Sequence, residues 1–164
     1  MKRLFLLRHA KSDWNEPDRS DFERSLNHRG TKAAAGMGKL AFERKYEIDA
    51  VVSSPAHRAS DTAKLFVEAA QLGTTIQFVD QIYEASPQTL CTIVSGLSDG
   101  LRSPLLIGHN PGIEGFIRLL TGQSETMPTA ALAVIDLAIR KWNEMVPGCG
   151  TLVEVIRPRD QEFS

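Results

Sequence analysis

Short apolar runs alternate along the chain with longer segments whose apolar positions recur every three or four residues. The apolar runs predict strands over residues 3–8, 49–53, 75–79, 104–108, 131–138 and 150–157. The three- and four-residue spacing predicts helices over residues 31–44, 55–72, 87–97 and 112–120. Residues 11–28 are polar and rich in turn-forming residues, so we interpret them as a loop.

The second predicted helix has a start signal in the sequence. Ser54 belongs to the residue types that cap helices, and Pro55 is favoured at the first helical position. We therefore predict that Ser54 is the N-cap and that Pro55 begins a helix ending at about Leu72.

The alternation of strands and helices predicts the α/β fold class. Strands such as residues 104–108 are apolar throughout, which is typical of a sheet covered by helices on both faces. The last two predicted strands are close enough in sequence to pair antiparallel. We expect a three-layer α/β/α sandwich with a mostly parallel central sheet and an antiparallel edge, forming a single domain over residues 1–164.

Composition and charge exclude several classes of protein. The 164 residues are 42% hydrophobic and 24% charged, as in an ordinary globular protein. The formal net charge of -1 argues against nucleic-acid binding, since phosphate backbones select for an excess of basic residues. No apolar run reaches the ~18 residues of a membrane span. We therefore expect no membrane partner. The two widely separated cysteines predict a cytoplasmic protein.

Charged and polar side chains follow four of the predicted strands. The first strand ends in Arg8-His9, and Arg58 comes shortly after the second strand. Glu84 follows the third strand and His109 the fourth. Ligands of open α/β sheets bind beyond the carboxyl ends of the strands, so we expect these side chains to meet at one site.

Two arginines with two histidines indicate an anionic ligand that contains a phosphoryl group. One guanidinium group can bind two phosphate oxygens at once, and it keeps its charge at any working pH. The competing interpretation is a metal site built on the histidines, but arginines repel a cation and no common metal-ligand spacing occurs. We therefore expect neither a metal nor a cofactor.

Each of these residues also has an ordinary explanation when it is taken singly. His109 precedes Asn-Pro-Gly and could be a turn residue, and surface glutamates such as Glu84 are common. The joint placement at strand ends favours a site. His28 and His57 lack that placement, so we predict that both are surface histidines.

Four motifs, in order along the chain, carry a resemblance to a known family. They are Leu7-Arg8-His9-Ala10, Ser53-Ser54-Pro55-x-x-Arg58-x-x-x-Thr62-Ala63, Tyr83-Glu84 and Gly108-His109-Asn110. The sequence resembles the histidine phosphatase superfamily, which has the phosphoglycerate-mutase-like fold. Within it, Ala10, the following Lys11-Ser12-Asp13-Trp14 and the lack of large insertions are most similar to the SixA-type phosphohistidine phosphatases.

The resemblance implies a role for each candidate residue. His9 would be the nucleophile that becomes phosphorylated. Attack through one ring nitrogen requires a fixed tautomer, so we expect a backbone carbonyl to hold the other nitrogen. Arg8 and Arg58 would hold the phosphoryl oxygens, and His109 would donate a hydrogen bond to the same group. Glu84 stands where many members place the acid that protonates the leaving group.

The expected activity is hydrolysis of phosphohistidine on a phosphorylated protein, with inorganic phosphate as product. One alternative is a phosphomonoesterase that acts on a small phosphate ester in the same pocket. Another is a phosphate-binding module without catalysis. The short chain leaves little material for a lid, which favours an open site and a protein substrate, although loop 11–28 could fold across the mouth.

Overall fold

A six-stranded mixed sheet runs through the middle of the protein. The computed structural model describes residues 1–14 and 17–161. The strands are β1 (Lys2–Arg8), β2 (Ala50–Ser53), β3 (Ile76–Phe78), β4 (Pro104–Gly108), β5 (Leu132–Leu137) and β6 (Gly150–Ile156). The helices are α1 (His28–Glu43), α2 (His57–Ala69), α3 (Pro87–Ser95) and α4 (Gly112–Thr121).

The strands follow the order β3-β2-β4-β1-β5-β6. The first four strands in this order are parallel to one another. Strand β5 is antiparallel to β1, and β6 is antiparallel to β5. The expected mostly parallel sheet with an antiparallel edge is therefore confirmed.

Helices cover both faces of the sheet. Leu4 and Leu6 of β1 pack into the apolar cluster that α3 and α4 complete, while Phe5 and Leu7 pack into the cluster of α1 and α2. All four side chains are fully buried, which explains why the centre of this strand, residues 4–7, is apolar at every position. The three-layer sandwich is confirmed. None of the described helices is both long and apolar enough to cross a membrane.

Helix α1 begins three residues before the predicted start. The Asn27 side chain accepts a hydrogen bond of 2.7 Å from the backbone N–H of Gly30 and so caps the helix. A Cβ atom on Gly30 would overlap the carbonyl oxygen of Lys11. Glycine at this position therefore lets the helix lie directly against the chain that leaves β1. Elsewhere, most element ends differ from prediction by one to three residues.

The prediction that Ser54 caps α2 and that Pro55 begins it is wrong. Helix α2 begins at His57, and its N-cap is Ala56, whose backbone is still extended (φ -54°, ψ 140°). The Ser54 hydroxyl accepts a hydrogen bond from the Ala56 N–H inside the preceding turn. The backbone carbonyl of Phe22 accepts the His57 N–H at 3.0 Å. A distant segment therefore satisfies the helix end that the sequence pattern assigned to Ser54.

Three neighbouring strands end at the same level of the sheet. Arg8, the last residue of β1, pairs with Gly108, the last residue of β4. Ser53, the last residue of β2, pairs with Ile107 of β4. The residues that follow these three strands consequently meet at one edge of the sheet.

Candidate active site

A cavity of about 1040 Å³ lies at this edge of the sheet. Its wall includes all five predicted site residues, which are Arg8, His9, Arg58, Glu84 and His109. The structure therefore brings together side chains that are up to 101 positions apart in sequence (8 to 109). The positions agree with the rule that ligands bind beyond the carboxyl ends of parallel strands.

A backbone carbonyl orients the His9 ring. Its Nδ1 lies 2.7 Å from the carbonyl oxygen of Ala10, which can only accept, so Nδ1 carries the proton and Nε2 keeps its lone pair. Ala10 is held in turn, since its N–H donates to the Thr62 hydroxyl at 2.9 Å and that hydroxyl donates to the Arg58 carbonyl at 2.7 Å. The expected carbonyl partner of His9 is confirmed.

His9 is neutral in this site. Burial lowers the pKa of His9 to about 3, against the opposing effect of its hydrogen bond to Ala10. His109, Arg58 and Arg8 lower that pKa further, because positive charge disfavours a second proton on the ring. At neutral pH the ring therefore presents an unprotonated Nε2, which is the state that a nitrogen nucleophile requires.

His109 lies beside His9, with ring centroids 5.1 Å apart. Its Nε2 is 2.8 Å from the Ser54 hydroxyl, and the Tyr83 ring packs edge-on against it at 5.5 Å. Burial lowers the pKa of His109 to about 4, and the charge of Arg58 lowers it further. Both histidines are therefore uncharged at neutral pH, and the positive charge around them belongs to the arginines.

Arg8 reaches the site from the last position of β1. Its Nη1 donates to the carbonyl oxygen of Met127 at 3.0 Å. That segment is fixed by Glu114, which accepts from the Asn110 side chain at 2.7 Å and from the Met127 N–H at 2.8 Å. Burial lowers the pKa of Arg8, and the negative charge of Glu114 opposes this effect. Glu114 thus places Arg8 and supplies part of its counter-charge.

Asp21 holds Arg58, and sequence reasoning missed it. Arg58 is only 5% exposed and donates to Asp21 twice, to the carbonyl oxygen at 2.6 Å and to Oδ2 at 3.0 Å. Tyr83 donates its hydroxyl to the same Oδ2 at 2.6 Å, and Arg24 donates to Oδ1 at 3.1 Å. Burial would raise the pKa of Asp21, but the bonds from Tyr83 and Arg58 lower it to about 2. Asp21 is thus a carboxylate at neutral pH.

Part of the predicted loop 11–28 forms one wall of the cavity. Residues 15 and 16 lie outside the described residues, and a bridge between Ser12 and Leu26 brings the two ends of the loop together. Trp14, Asp21 and Arg24 line the cavity from this segment. Nothing in the sequence pattern separates Asp21 from the other aspartates of the loop, so its contact with Arg58 is visible only in the structure.

Glu84 lies at the exposed rim of the cavity. Its backbone adopts the left-handed conformation (φ 56°), which is uncommon for a residue other than glycine. Among the described residues, no hydrogen-bond partner holds its carboxylate. Its role as an acid stays a prediction.

The other two histidines, His28 and His57, are exposed, which confirms the prediction that they are surface residues. In residues 1–14 and 17–161, no three His, Cys, Asp or Glu side chains group closely enough to hold a metal ion. The site combines two guanidinium groups, the unprotonated Nε2 of His9 and neighbouring N–H donors. Such a set can bind a tetrahedral oxyanion and attack its central atom.

Comparison with known proteins places these residues in a family context. The sequence profile described as "Histidine phosphatase superfamily (branch 1)" matches residues 4–89. The matched region includes Arg8, His9, Arg58 and Glu84 and ends before His109.

Solved structures agree with this match along nearly the whole chain. SixA from Agrobacterium tumefaciens is 30% identical, with a TM-score of 0.83 over 96% of this chain and 98% of that chain. A protein histidine phosphatase SixA complexed with tungstate is 22% identical, with the same TM-score and coverage. An uncharacterized protein from Mycobacterium tuberculosis is 28% identical over 93% of this chain and all of its own length.

Proposed function

Because this chain belongs to the histidine phosphatase superfamily, we propose that it hydrolyses phosphohistidine on proteins, with His9 as the nucleophile. The observation that carries the proposal is the neutral His9 ring with its free Nε2, in a cavity that it shares with Arg8 and Arg58. The likeness to SixA from Agrobacterium tumefaciens, at 30% identity, supports the substrate class.

In the first step, Nε2 of His9 attacks the phosphorus atom of the substrate. A bond forms between that nitrogen and phosphorus while the bond from phosphorus to the leaving group breaks. Phosphoryl transfer spreads charge over three equatorial oxygens, so positioning and positive charge supply most of the catalysis. Arg58, which is buried, and Arg8, which is partly buried, supply fixed charge. The bond from Nδ1 to the Ala10 carbonyl stabilises the ring as it becomes cationic.

In the second step, water attacks the phosphorus atom of phosphorylated His9. The bond between phosphorus and Nε2 breaks, inorganic phosphate leaves with the oxygen of the water, and the ring nitrogen regains its lone pair. The low pKa of His9 favours this step, because the ring is then a stable neutral leaving group.

The leaving group determines how much the reaction depends on an acid. Imidazole that leaves from phosphohistidine can already carry a proton, since its pKa is about 6.5. An alkoxide needs a proton from the enzyme, and such general acid catalysis contributes roughly 10²–10⁴-fold. The exposed position of Glu84, with no partner to fix it among the described residues, supports a substrate that does not depend on the acid.

The decisive experiment measures kcat/KM for a phosphohistidine peptide beside a panel of alkyl and aryl phosphomonoesters, with a chelator present. We expect a clear preference for the peptide. Rapid quenching with ³²P-labelled substrate should trap an acid-labile, alkali-stable phosphoryl group, and peptide mapping should locate it on His9.

The other outcomes each select a different function. A preference for one small phosphate ester, with the label still on His9, would assign the site to a phosphomonoesterase. Binding of inorganic phosphate without turnover of any substrate would assign it to a phosphate-binding module. Label on a residue other than His9 would reject the mechanism.

A further inference from the structure

Ser54 lies directly beside His109 at the sheet edge. The two residues follow the adjacent strands β2 and β4, and the Ser54 N–H donates to the Ile107 carbonyl at 3.0 Å. Ser54 is fully buried, and its hydroxyl is 2.8 Å from Nε2 of His109. The hydroxyl is therefore fixed against one nitrogen of the ring.

The hydrogen bonds of this hydroxyl determine which way its proton points. The Ala56 N–H lies 3.2 Å from the hydroxyl oxygen and can only donate, so the oxygen accepts. Within residues 1–14 and 17–161, Nε2 of His109 is the acceptor left for the hydroxyl proton of Ser54. A proton on Nε2 would leave that hydroxyl proton buried without an acceptor, which is an unfavourable arrangement.

The ring itself carries one proton at neutral pH, since burial lowers the pKa of His109 to about 4. If Nε2 accepts from Ser54, the single proton is on Nδ1. That Nδ1 is buried and has no partner among the described residues, as is also true of Nε in Arg8 and in Arg58. Three N–H donors without partners thus belong to three side chains of the same cavity wall.

We propose that Ser54 is a positioning residue that fixes His109 in the tautomer with its proton on Nδ1, so that Nδ1 is the atom that donates to a bound oxyanion. The opposite tautomer would present a lone pair at Nδ1 and repel the oxygen. The tautomer follows from the hydrogen bonds alone, whereas the donation from Nδ1 to a phosphoryl group rests on the proposed function.

The tautomer can be measured directly by ¹⁵N NMR of the histidine ring nitrogens at pH 7.5. We expect His109 to show a protonated Nδ1 and an unprotonated Nε2, and Ser54→Ala to produce a mixture of both tautomers. Ser53→Ala is the matched control, because this neighbouring buried serine donates to the Ser54 carbonyl at 3.0 Å and, among the described residues, has no hydrogen bond to His109. A protonated Nε2 in the unmodified protein, or an unchanged tautomer in Ser54→Ala, would overturn the proposal.

The position of the donor can be tested with amide side chains. The asparagine amide places an N–H near the position of Nδ1, and the glutamine amide places one near Nε2. We expect His109→Asn to bind tungstate about tenfold more tightly than His109→Gln, as measured by calorimetry, because only the former keeps a donor where the oxyanion binds. Equal affinities, or tighter binding by His109→Gln, would contradict the assignment of Nδ1.

Combining the substitutions separates a positioning role from a structural one. Ser54→Ala should weaken tungstate binding about tenfold when His109 is present and less than about twofold in the His109→Asn background, which has no tautomer to select. Equal losses in both backgrounds would make Ser54 merely structural. These measurements need no turnover, so a protein that binds tungstate as expected but hydrolyses nothing would keep this inference and reject the proposed function.

Discussion

The cavity has two sides that are built differently. On the sheet edge, His9, Ser54 and His109 are at most 8% exposed, and hydrogen bonds between neighbouring segments orient them. On the loop wall, which we define as Asp21 and Glu84 with their segments, the side chains are partly or fully exposed and lie outside helices and strands. Ion pairs with Arg58 and Arg24 hold Asp21, whereas the Glu84 carboxylate has no hydrogen-bond partner among the described residues.

The two sides meet different chemical requirements, one for the reacting groups and one for contacts with the substrate. A nucleophile and an oriented N–H donor must be neutral and must point in one direction, and burial between strands provides both conditions. Contacts that depend on the substrate need no such burial and can be carried by a loop. We therefore expect loss of the His9 side chain on the sheet edge to affect every substrate most strongly, and substitutions on the loop wall to have smaller effects.

The largest effect should follow removal of the nucleophile. We expect His9→Ala to lower kcat roughly 10⁴-fold or more on every substrate, since the proposed covalent intermediate forms on His9. Tungstate binding should stay within about tenfold of the unmodified protein, because the arginines remain. His28→Ala, which removes an exposed histidine, is the control. Residual turnover within tenfold would contradict the assignment of His9.

Glu84→Gln should separate the substrates. We expect kcat/KM to fall about 10²-fold for alkyl phosphates, whose leaving group needs a proton, and only a few-fold for phosphohistidine and aryl phosphates. Glu68→Gln, an exposed position on α2, provides the matched charge change outside the cavity. Equal losses on all three substrate classes would show that Glu84 does not act on the leaving group.

Asp21→Asn should act on kcat and on phosphate binding in opposite directions. We expect kcat to fall about tenfold, because Arg58 loses the charged acceptor that orients it. Product phosphate should bind more tightly, since the Asp21 carboxylate no longer repels it or occupies the guanidinium. Asp18→Asn, at an exposed position of the same segment, is the control. An unchanged kcat would mean that Asp21 does not position Arg58.

The smallest effect concerns stability and pH. The unfolded chain protonates its histidines near pH 6.5, whereas folded His9 and His109 take up a proton only near pH 3 and pH 4. Between these values the unfolded state binds more protons, so the free energy of unfolding should fall as pH is lowered from 7.5 to 5. His109→Asn should make this decline shallower by on the order of 1–2 kcal/mol. Chemical denaturation at both pH values measures the free energy of unfolding of the two proteins. An equal decline in His109→Asn and in the unmodified protein would contradict the neutral state of His109.

Much of the architecture could be predicted because it is encoded locally. Leu4 to Leu7 are apolar at every position, as a strand buried on both faces must be, and the three- and four-residue spacing of the helices reflects one buried side. Arg8 is the last residue of such a strand, and His9 and His109 each directly follow one. Since parallel strands end at a common edge, their meeting in one cavity also followed from sequence.

What the sequence by itself determined is therefore the α/β sandwich, the family resemblance and the group of side chains at the strand ends. Only the tertiary structure decided that Asp21 pairs with Arg58, 37 positions away, and that the Ser54 hydroxyl meets His109, 55 positions away, rather than capping α2. The physical reason is the separation along the chain over which each kind of signal acts. Hydrophobic periodicity acts between residues a few positions apart, whereas a hydrogen bond between distant segments depends on where the fold places both partners.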